Sequence, residues 1–184
     1  MTTHVLTPDA AAALVLRDGS AVRIQQLTGA DAELLADGFA RLSATSRWYR
    51  FLTSKTHLSS AELRYLTDID HHNHEALVAV SLIDERALGV ARYVRSAEDP
   101  RVAEVAVTVV DEWHERGLGT ELVTRLIDRA VEVGIQRFTA LIAAENVAVI
   151  KLLRKMSVEY RLVADEYGTL EYEITLPPRR VSAA

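Results

Sequence analysis

The chain has 184 residues, enough for one domain with its own core. It is 49% hydrophobic and 26% charged, as an ordinary globular protein is, and its formal net charge of −5 gives no sequence-independent attraction to nucleic acid. There is no cysteine, which excludes disulfides, a thiol nucleophile and thiolate metal ligands and suits a reducing cytoplasm; the apolar stretch at 10–16 is too short to span a membrane and lacks the basic lead of a signal peptide.

Residues 1–13 read as a weakly ordered lead and 179–184 as a polar tail around one domain at 14–178. Asp18-Gly19 is a two-residue hairpin signal between strands at 14–17 and 20–24. Thr28, with Asp31 at its third position, opens a helix on which Leu34, Leu35, Phe39 and Leu42 recur every three to four residues. A short helix is expected to contain 47–52. Ser59-x-x-Glu62 is a capping box with Leu58 before it, so another helix runs to about Leu66. Residues 75–83 and 87–95 read as strands joined by Asp84-Glu85-Arg86, and 102–110 as the next strand. A helix at 118–133 carries Leu118, Leu122, Leu126 and Ala130 on one stripe and ends at Gly134. A strand at 137–143, a helix from the cap Asn146 to Met156, and strands at 158–164 and 169–176 around Gly168 complete the pattern before Pro177-Pro178. Strands with intervening helices make this a mixed α/β sheet, and no repeat or linker marks a second domain.

The most informative stretch is Arg116-Gly117-Leu118-Gly119-Thr120, between the apolar run 105–110 and the helix from Leu118. A strand feeding a glycine loop that opens a helix suits a phosphate, because backbone amides approach the anion closely and the helix N-terminus carries positive charge. No Lys-Ser/Thr follows, so this is not a Walker loop, and Leu122 stands where a dinucleotide fold has its third glycine. Taken alone, two glycines more often only make a turn.

The stretch resembles the acyl-CoA pyrophosphate loop of the GNAT superfamily of N-acyltransferases. That pattern, Gln/Arg-x-x-Gly-x-Gly/Ala, reads here His114-Glu115-Arg116-Gly117-Leu118-Gly119, with His in the first position. Ala144-Glu145-Asn146 and the following helix are similar to the family's second CoA-side element, although Leu153 replaces the usual tyrosine and Ser157-Val158 the usual Gly-Phe. A closer likeness to bacterial protein-lysine acetyltransferases lies in Leu42-Ser43-x-x-Ser46-x-x-x-Arg50-Phe51, Leu66-Thr67-Asp68-x-Asp70-His71, Ala76-Leu77-Val78-Ala79 and Ala103-Glu104-Val105-Ala106. The resemblance covers roughly residues 20–160. It implies the GNAT fold: a mixed, mostly antiparallel central sheet flanked by helices and splayed around acyl-CoA, the fourth and fifth core strands parting for the pantetheine arm. It further implies acetyl-CoA as cosubstrate. The amides around Gly117, Leu118, Gly119 and Thr120 would hold the pyrophosphate, with Arg116 adding charge. The open edge at Val107, Val109 and Val110 would pair with the arm, and Asn146 would stand beside it.

Acetyl transfer to an amine also needs a base. A lysine amine has a reference pKa near 10.4, so about one molecule in 2,500 is neutral at pH 7, and an ordinary carboxylate is uphill of it by about six units, roughly 8 kcal/mol. A working Glu therefore needs a raised pKa or must pass the proton on through water. Glu104 is the candidate: it lies in the apolar segment 102–107, where burial is expected, and it matches the family's acidic residue on that strand. On the sequence alone it also suits a strand-end carboxylate facing solvent or paired with an arginine. The cluster Asp70-His71-His72-Asn73-His74 lacks zinc spacing, so no metal is assigned. In related lysine acetyltransferases this loop faces the acceptor, which makes His71 and His72 substrate-side candidates. The expected enzyme is a cytoplasmic N-acetyltransferase working by direct amine attack, with a protein lysine as the favoured acceptor. A small-molecule amine acetyltransferase and a low-turnover acyl-CoA-binding regulatory module are the alternatives. Neither a nucleic acid nor a membrane is expected as partner, and oligomeric state is not legible in these patterns.

Overall fold

The computed structural model describes residues 13–156 and 158–178. Of the lead expected at 1–13, Ala13 is described and begins a strand; the rest of that lead, Ser157 and the tail from 179 lie outside the described residues. In chain order the elements are β1 (Ala13–Val15), β2 (Ala21–Gln26), α1 (Ala32–Ala40), α2 (Ala44–Phe51), α3 (Ser60–Thr67), β3 (His74–Ser81), β4 (Ala87–Arg95), β5 (Val102–Val109), α4 (Leu118–Glu132), β6 (Arg137–Ala143), α5 (Val147–Lys155), β7 (Glu159–Glu166) and β8 (Thr169–Thr175). The strands form one sheet in the order β1-β2-β3-β4-β5-β6-β8-β7. Neighbours are antiparallel except β5 and β6, which run parallel. No helix among the described residues is long and apolar enough to cross a membrane.

One helix start differs from the sequence expectation, and local hydrogen bonds explain it. Thr28 opens a 3-10 turn over Gly29–Asp31, where the Asp31 carboxylate accepts from the Thr28 amide and hydroxyl, both at 2.8 Å, and α1 begins only after it. The short helix expected to contain 47–52 runs from Ala44 to Phe51 with Leu52 as its C-cap, and the Ser43 hydroxyl caps its start by accepting from the Ser46 amide at 3.1 Å. The capping box at Ser59 and Glu62 forms as expected.

Side-chain alternation divides the core into two layers. On one face the α4 stripe, Leu118, Leu122, Leu126 and Ala130, packs on Leu77, Ala79, Ala91 and Tyr93. Against the other face α1 and α3 bring Leu35 and Leu66 onto Ala76, Val78 and Val80. On β5, Val105, Val107 and Val109 face α4, so Glu104, Ala106 and Thr108 face the side of α1–α3. Register with β4 sets Val90, Arg92 and Val94 on that same side, opposite Thr108, Ala106 and Glu104.

Gly89 is where α4 closes on this sheet. A methyl group there would stand 2.8 Å from the Thr108 carbonyl oxygen, 3.1 Å from Val109 and 3.2 Å from Leu122. Backbone and a packed helix cannot yield as a flexible side-chain tip would. Gly89→Ala is therefore expected to cost about 1–3 kcal/mol, the usual size of overpacking. Denaturant unfolding of parent and variant checks this, and a loss below about 0.5 kcal/mol would show that α4 can shift outward at little cost.

Candidate active site

The site begins where β5 and β6 part. Their parallel ladder lasts three residues, Val102↔Arg137, Ala103↔Phe138 and Glu104↔Thr139, whereas β5 stays paired with β4 from Ala103 to Val109. Beyond Glu104 one edge of β5 has no strand partner. Which residues serve that edge follows from the ladder: the Val110 amide donates to the Leu88 carbonyl at 2.9 Å, so residues of that phase, including Thr108 and Ala106, turn their backbone groups towards β4. Val105, Val107 and Val109 turn theirs outward. Of the three valines named from the sequence, Val107 and Val109 lie on the open edge. Val110 does not: both its backbone groups are used internally, its carbonyl accepting from the Trp113 amide. Val105 shares that phase and was missed, since only the register reveals it; its amide closes the ladder on Thr139, so its carbonyl is what begins the open edge. The His114 imidazole sits 2.8 Å from the Val109 carbonyl oxygen, at the end of the edge.

Past that edge the chain bends into α4 with Glu115 at φ 63° and Gly117 at φ 90°. Gly117 is needed for that left-handed turn. The amides of Glu115, Arg116, Gly117, Leu118, Gly119 and Thr120 have no acceptor among the described residues, and the first helical bond runs from the Glu121 amide to the Gly117 carbonyl. A run of free amides at a helix N-terminus is an anion cradle. Gly119 is explained differently from Gly117. Its backbone needs no glycine, and a methyl group there would make only ordinary contacts, at 3.8 Å to Val109 and Leu152. The fold tolerates a side chain at 119; a ligand seated on the amides would not. Arg116 flanks the cradle, held by Asp18 at 3.0 Å and lying 4.8 Å over the Trp113 ring.

Between the parted strands lies a cavity of about 700 Å³, partly continuous with solvent, walled by Val105, Val107, Asn146, Leu153, Tyr49 and Arg50 among others. Asn146 is buried; its side-chain oxygen accepts from the Val149 amide at 3.3 Å, and this cap fixes the start of α5 on the far wall. Leu153, where the resemblance expects a tyrosine, is buried in the core. The tyrosine that reaches the cavity is Tyr49 of α2, whose hydroxyl donates to the Glu145 carbonyl at 3.3 Å across the split. The other end of α2 is tied to the loop: the Ser43 amide and the Ser43 and Ser46 hydroxyls all donate to Asp111. The burial of Asp111 opposes its ionisation, but these donors prevail and hold its carboxyl below the usual range.

Glu104 is the last residue of the β5–β6 ladder, at the apex of the fork. It is exposed, so the expected burial is absent. β5 is central in the sheet, but the strands separate just beyond this point. Arg50 lies near enough for the Glu104 charge to support its protonation; burial lowers the Arg50 pKa, and Glu104 and Tyr65 oppose that.

The histidine loop is built otherwise than expected. His71, at φ 55°, places Nδ1 2.8 Å from the fully buried Glu75 carboxylate, which also accepts from Arg129 at 3.1 Å and Gln26 at 3.0 Å. This network joins β3 to α4 on the face opposite Glu104. His72 is exposed, and its carbonyl accepts from the Tyr93 hydroxyl at 3.2 Å. His74 faces the other way, its Nε2 accepting from Arg92 at 3.1 Å; burial, then the Arg92 charge, pushes its pKa down to about 4. The turn of the loop, shaped by Asp70 accepting from the amides of His72, Asn73 and His74, decides which histidine faces which side.

A sheet forked after its fifth strand, with an amide cradle at the mouth, defines an acyl-CoA-dependent transferase fold. The family described as Acetyltransferase (GNAT) domain matches residues 22–159, and the chain belongs to that family. Within it the chain is Pat-like: Acetyltransferase Pat of Mycolicibacterium smegmatis is 30% identical over 167 residues, 89% of this chain and 48% of that protein. The chain thus spans about half the length of that relative. Acetyltransferase PA5475 of Pseudomonas aeruginosa is 35% identical over 133 residues, 71% of each chain. Among solved structures, the GNAT domain of S. lividans PAT superposes with a TM-score of 0.82 at 29% identity, covering 90% of this chain and 96% of that one. The structure of yncA from Salmonella typhimurium with its cofactor acetyl-CoA shares the fold at a TM-score of 0.62 and 22% identity, covering 88% of this chain and 96% of that one.

Gly119→Asp would set a carboxylate against the cradle at a position where the Cβ itself makes only ordinary contacts. Acetyl-CoA affinity is expected to fall at least about tenfold, near 1.4 kcal/mol, with the fold retained. Calorimetric titration of the two folded proteins is the check, and equal affinities would remove the loop from the site.

Proposed function

We propose that this chain transfers the acetyl group of acetyl-CoA to a primary amine by direct attack, with a protein lysine ε-amino group as the favoured acceptor and the cytoplasm as the place of action. The fork carries the reading: an unpaired strand edge runs from the free amides at the head of α4 to a carboxylate, Glu104, at its apex. The preference for lysine rests on the Pat-like segments at 42–51, 66–71, 76–79 and 103–106.

Acetyl-CoA supplies an acetyl group activated as a thioester. The amides of 115–120 hold its pyrophosphate, and the open edge from the Val105 carbonyl through Val107 to the Val109 amide pairs with its arm as an added strand does. Asn146 fixes the far wall. Glu104 receives the proton that the attacking nitrogen loses. Because Glu104 is exposed, water lies within its reach, so Glu104 draws the proton off through that water and passes it on to solvent. The carbon–sulfur bond breaks with its electron pair going to sulfur. A thiol of pKa near 8.5 leaves tolerably without an acid, so Leu153 in place of a tyrosine does not block the reaction. His71 and His72 contribute to folding and loop shape in this reading, since His71 is engaged by Glu75.

Glu104→Gln keeps the shape and deletes the accepting charge. Turnover at pH 7 is expected to fall by ~10²- to 10⁴-fold, with acetyl-CoA affinity little changed. Part of the loss returns at high pH, where more of the amine is already neutral. Rate–pH profiles of parent and variant with one verified acceptor are the measurement. A variant within about threefold of the parent throughout would exclude Glu104 as the base and leave water alone to take the proton.

A further inference from the structure

On the Glu104 side of the sheet a second hollow, of about 510 Å³ and partly open to solvent, lies between β4, β5 and the helices α1–α3. Leu35, Phe39 and Leu58 give it an apolar wall, and Arg50, Arg92 and Thr108 interrupt that wall. Arg92 is only 6% exposed, yet among the described residues no carboxylate pairs with it. Its partners are the Leu66 carbonyl at 3.2 Å and the imidazole of His74 at 3.1 Å, the latter neutral near pH 7 and bringing no negative charge. A guanidinium has five N–H donors, so most of its hydrogen-bonding capacity is unspent. Arg50 brings a second positive charge to the same hollow; burial, then the Arg50 charge, brings the Arg92 pKa down to about 9. The Thr108 hydroxyl is buried with no partner among the described residues. Unpaired buried cations are costly, and a carboxylate relieves that cost with parallel N–H···O bonds of a kind the guanidinium fork suits.

We propose that this hollow anchors the acceptor by a carboxylate on a short apolar stem, held by Arg50, Arg92 and Thr108, while the acceptor's amine is left facing Glu104. The proposal rests on the acetyl-transfer reading above. Two sources offer this chemistry: the carboxylate of a free amino compound, and an acidic residue beside the acceptor lysine of a protein. The overall charge of −5 gives no hint of it, because the field that matters is local.

The test separates the hollow from the chemistry. Calorimetry on the full chain compares 4-methylpentanoate with 4-methylpentan-1-ol, which share a stem and lack an amine. The carboxylate is expected to bind at least about tenfold tighter, and Arg92→Gln and Arg50→Gln should each reduce that preference to about threefold or less. Acetyl-CoA affinity should survive Arg92→Gln, which reports that the variant is folded; if it does not fold, Arg50→Gln, at a partly exposed position, carries the same test. Kinetics then identify the source: 5-aminopentanoate against 5-aminopentanamide, and lysine peptides with a neighbouring Glu against the same peptides with Gln. The carboxylate partner of the true source should show the lower KM, and Arg50→Gln should erase the difference. Arg-dependent carboxylate binding without any acetyl transfer would uphold the hollow and refute the transfer reading. Equal binding of acid and alcohol, or transfer with no carboxylate preference in either pair, would overturn the anchor.

Discussion

Everything in this molecule is arranged around a parallel strand pair that stops after three residues. A strand edge left without a partner presents amides and carbonyls that must find one, and such edges are normally covered or blunted. Here the edge of β5 beyond Glu104 is kept open, and its surroundings are braced. The cap at Asn146 and the α5 helix hold the far wall, while the α4 stripe buries the near one. Helix α2 ties the two sides, its N-terminal serines on Asp111 beside the loop and Tyr49 on the Glu145 carbonyl. These polar ties, together with the core beneath each strand, hold a gap that the hydrophobic effect by itself would close.

The two faces of the sheet divide the electrostatic work. On the α4 face Glu75 is fully buried but satisfied by His71, Arg129, Gln26 and its neighbour's amide, a closed network that joins strand, loop and helix. Breaking any member would leave a buried charge short of partners, so these residues belong to stability. On the opposite face Arg92 and Arg50 have no such closure, and Glu104 stands in solvent at the fork. A protein of modest negative charge thus presents a cationic hollow beside its proposed base. Whole-chain charge sets solubility and long-range attraction; the sign inside a partly buried hollow is set by the few groups that line it.

Much of this was legible from residue order alone. Hydrophobic period, caps and turn glycines gave the elements within a few residues, because those signals act over single turns. The late start of α1 arose because Thr28 and Asp31 close their capping box on a 3-10 turn, a detail the helical period does not carry. The α4 stripe and the capping box at Ser59 and Glu62 involve neighbours three or four apart, and they form as read. The glycine loop, too, was readable, since its geometry is local.

What depended on distant pairing was not readable. The sequence by itself determined the order of strands and helices, the loop that frees the amides, the acid at position 104 and the cap at Asn146. Only the tertiary structure decided that Val105 and not Val110 faces the open edge, that Glu104 is exposed, that His74 rather than His71 looks toward its side, and that Arg50 and Arg92, far apart in the chain, meet in one hollow. The physical reason is common to all of these. A strand's residues alternate between faces and between edges, and the phase of that alternation is fixed by the partner strand and by the helix laid over it, neither of which lies within the reach of a local pattern.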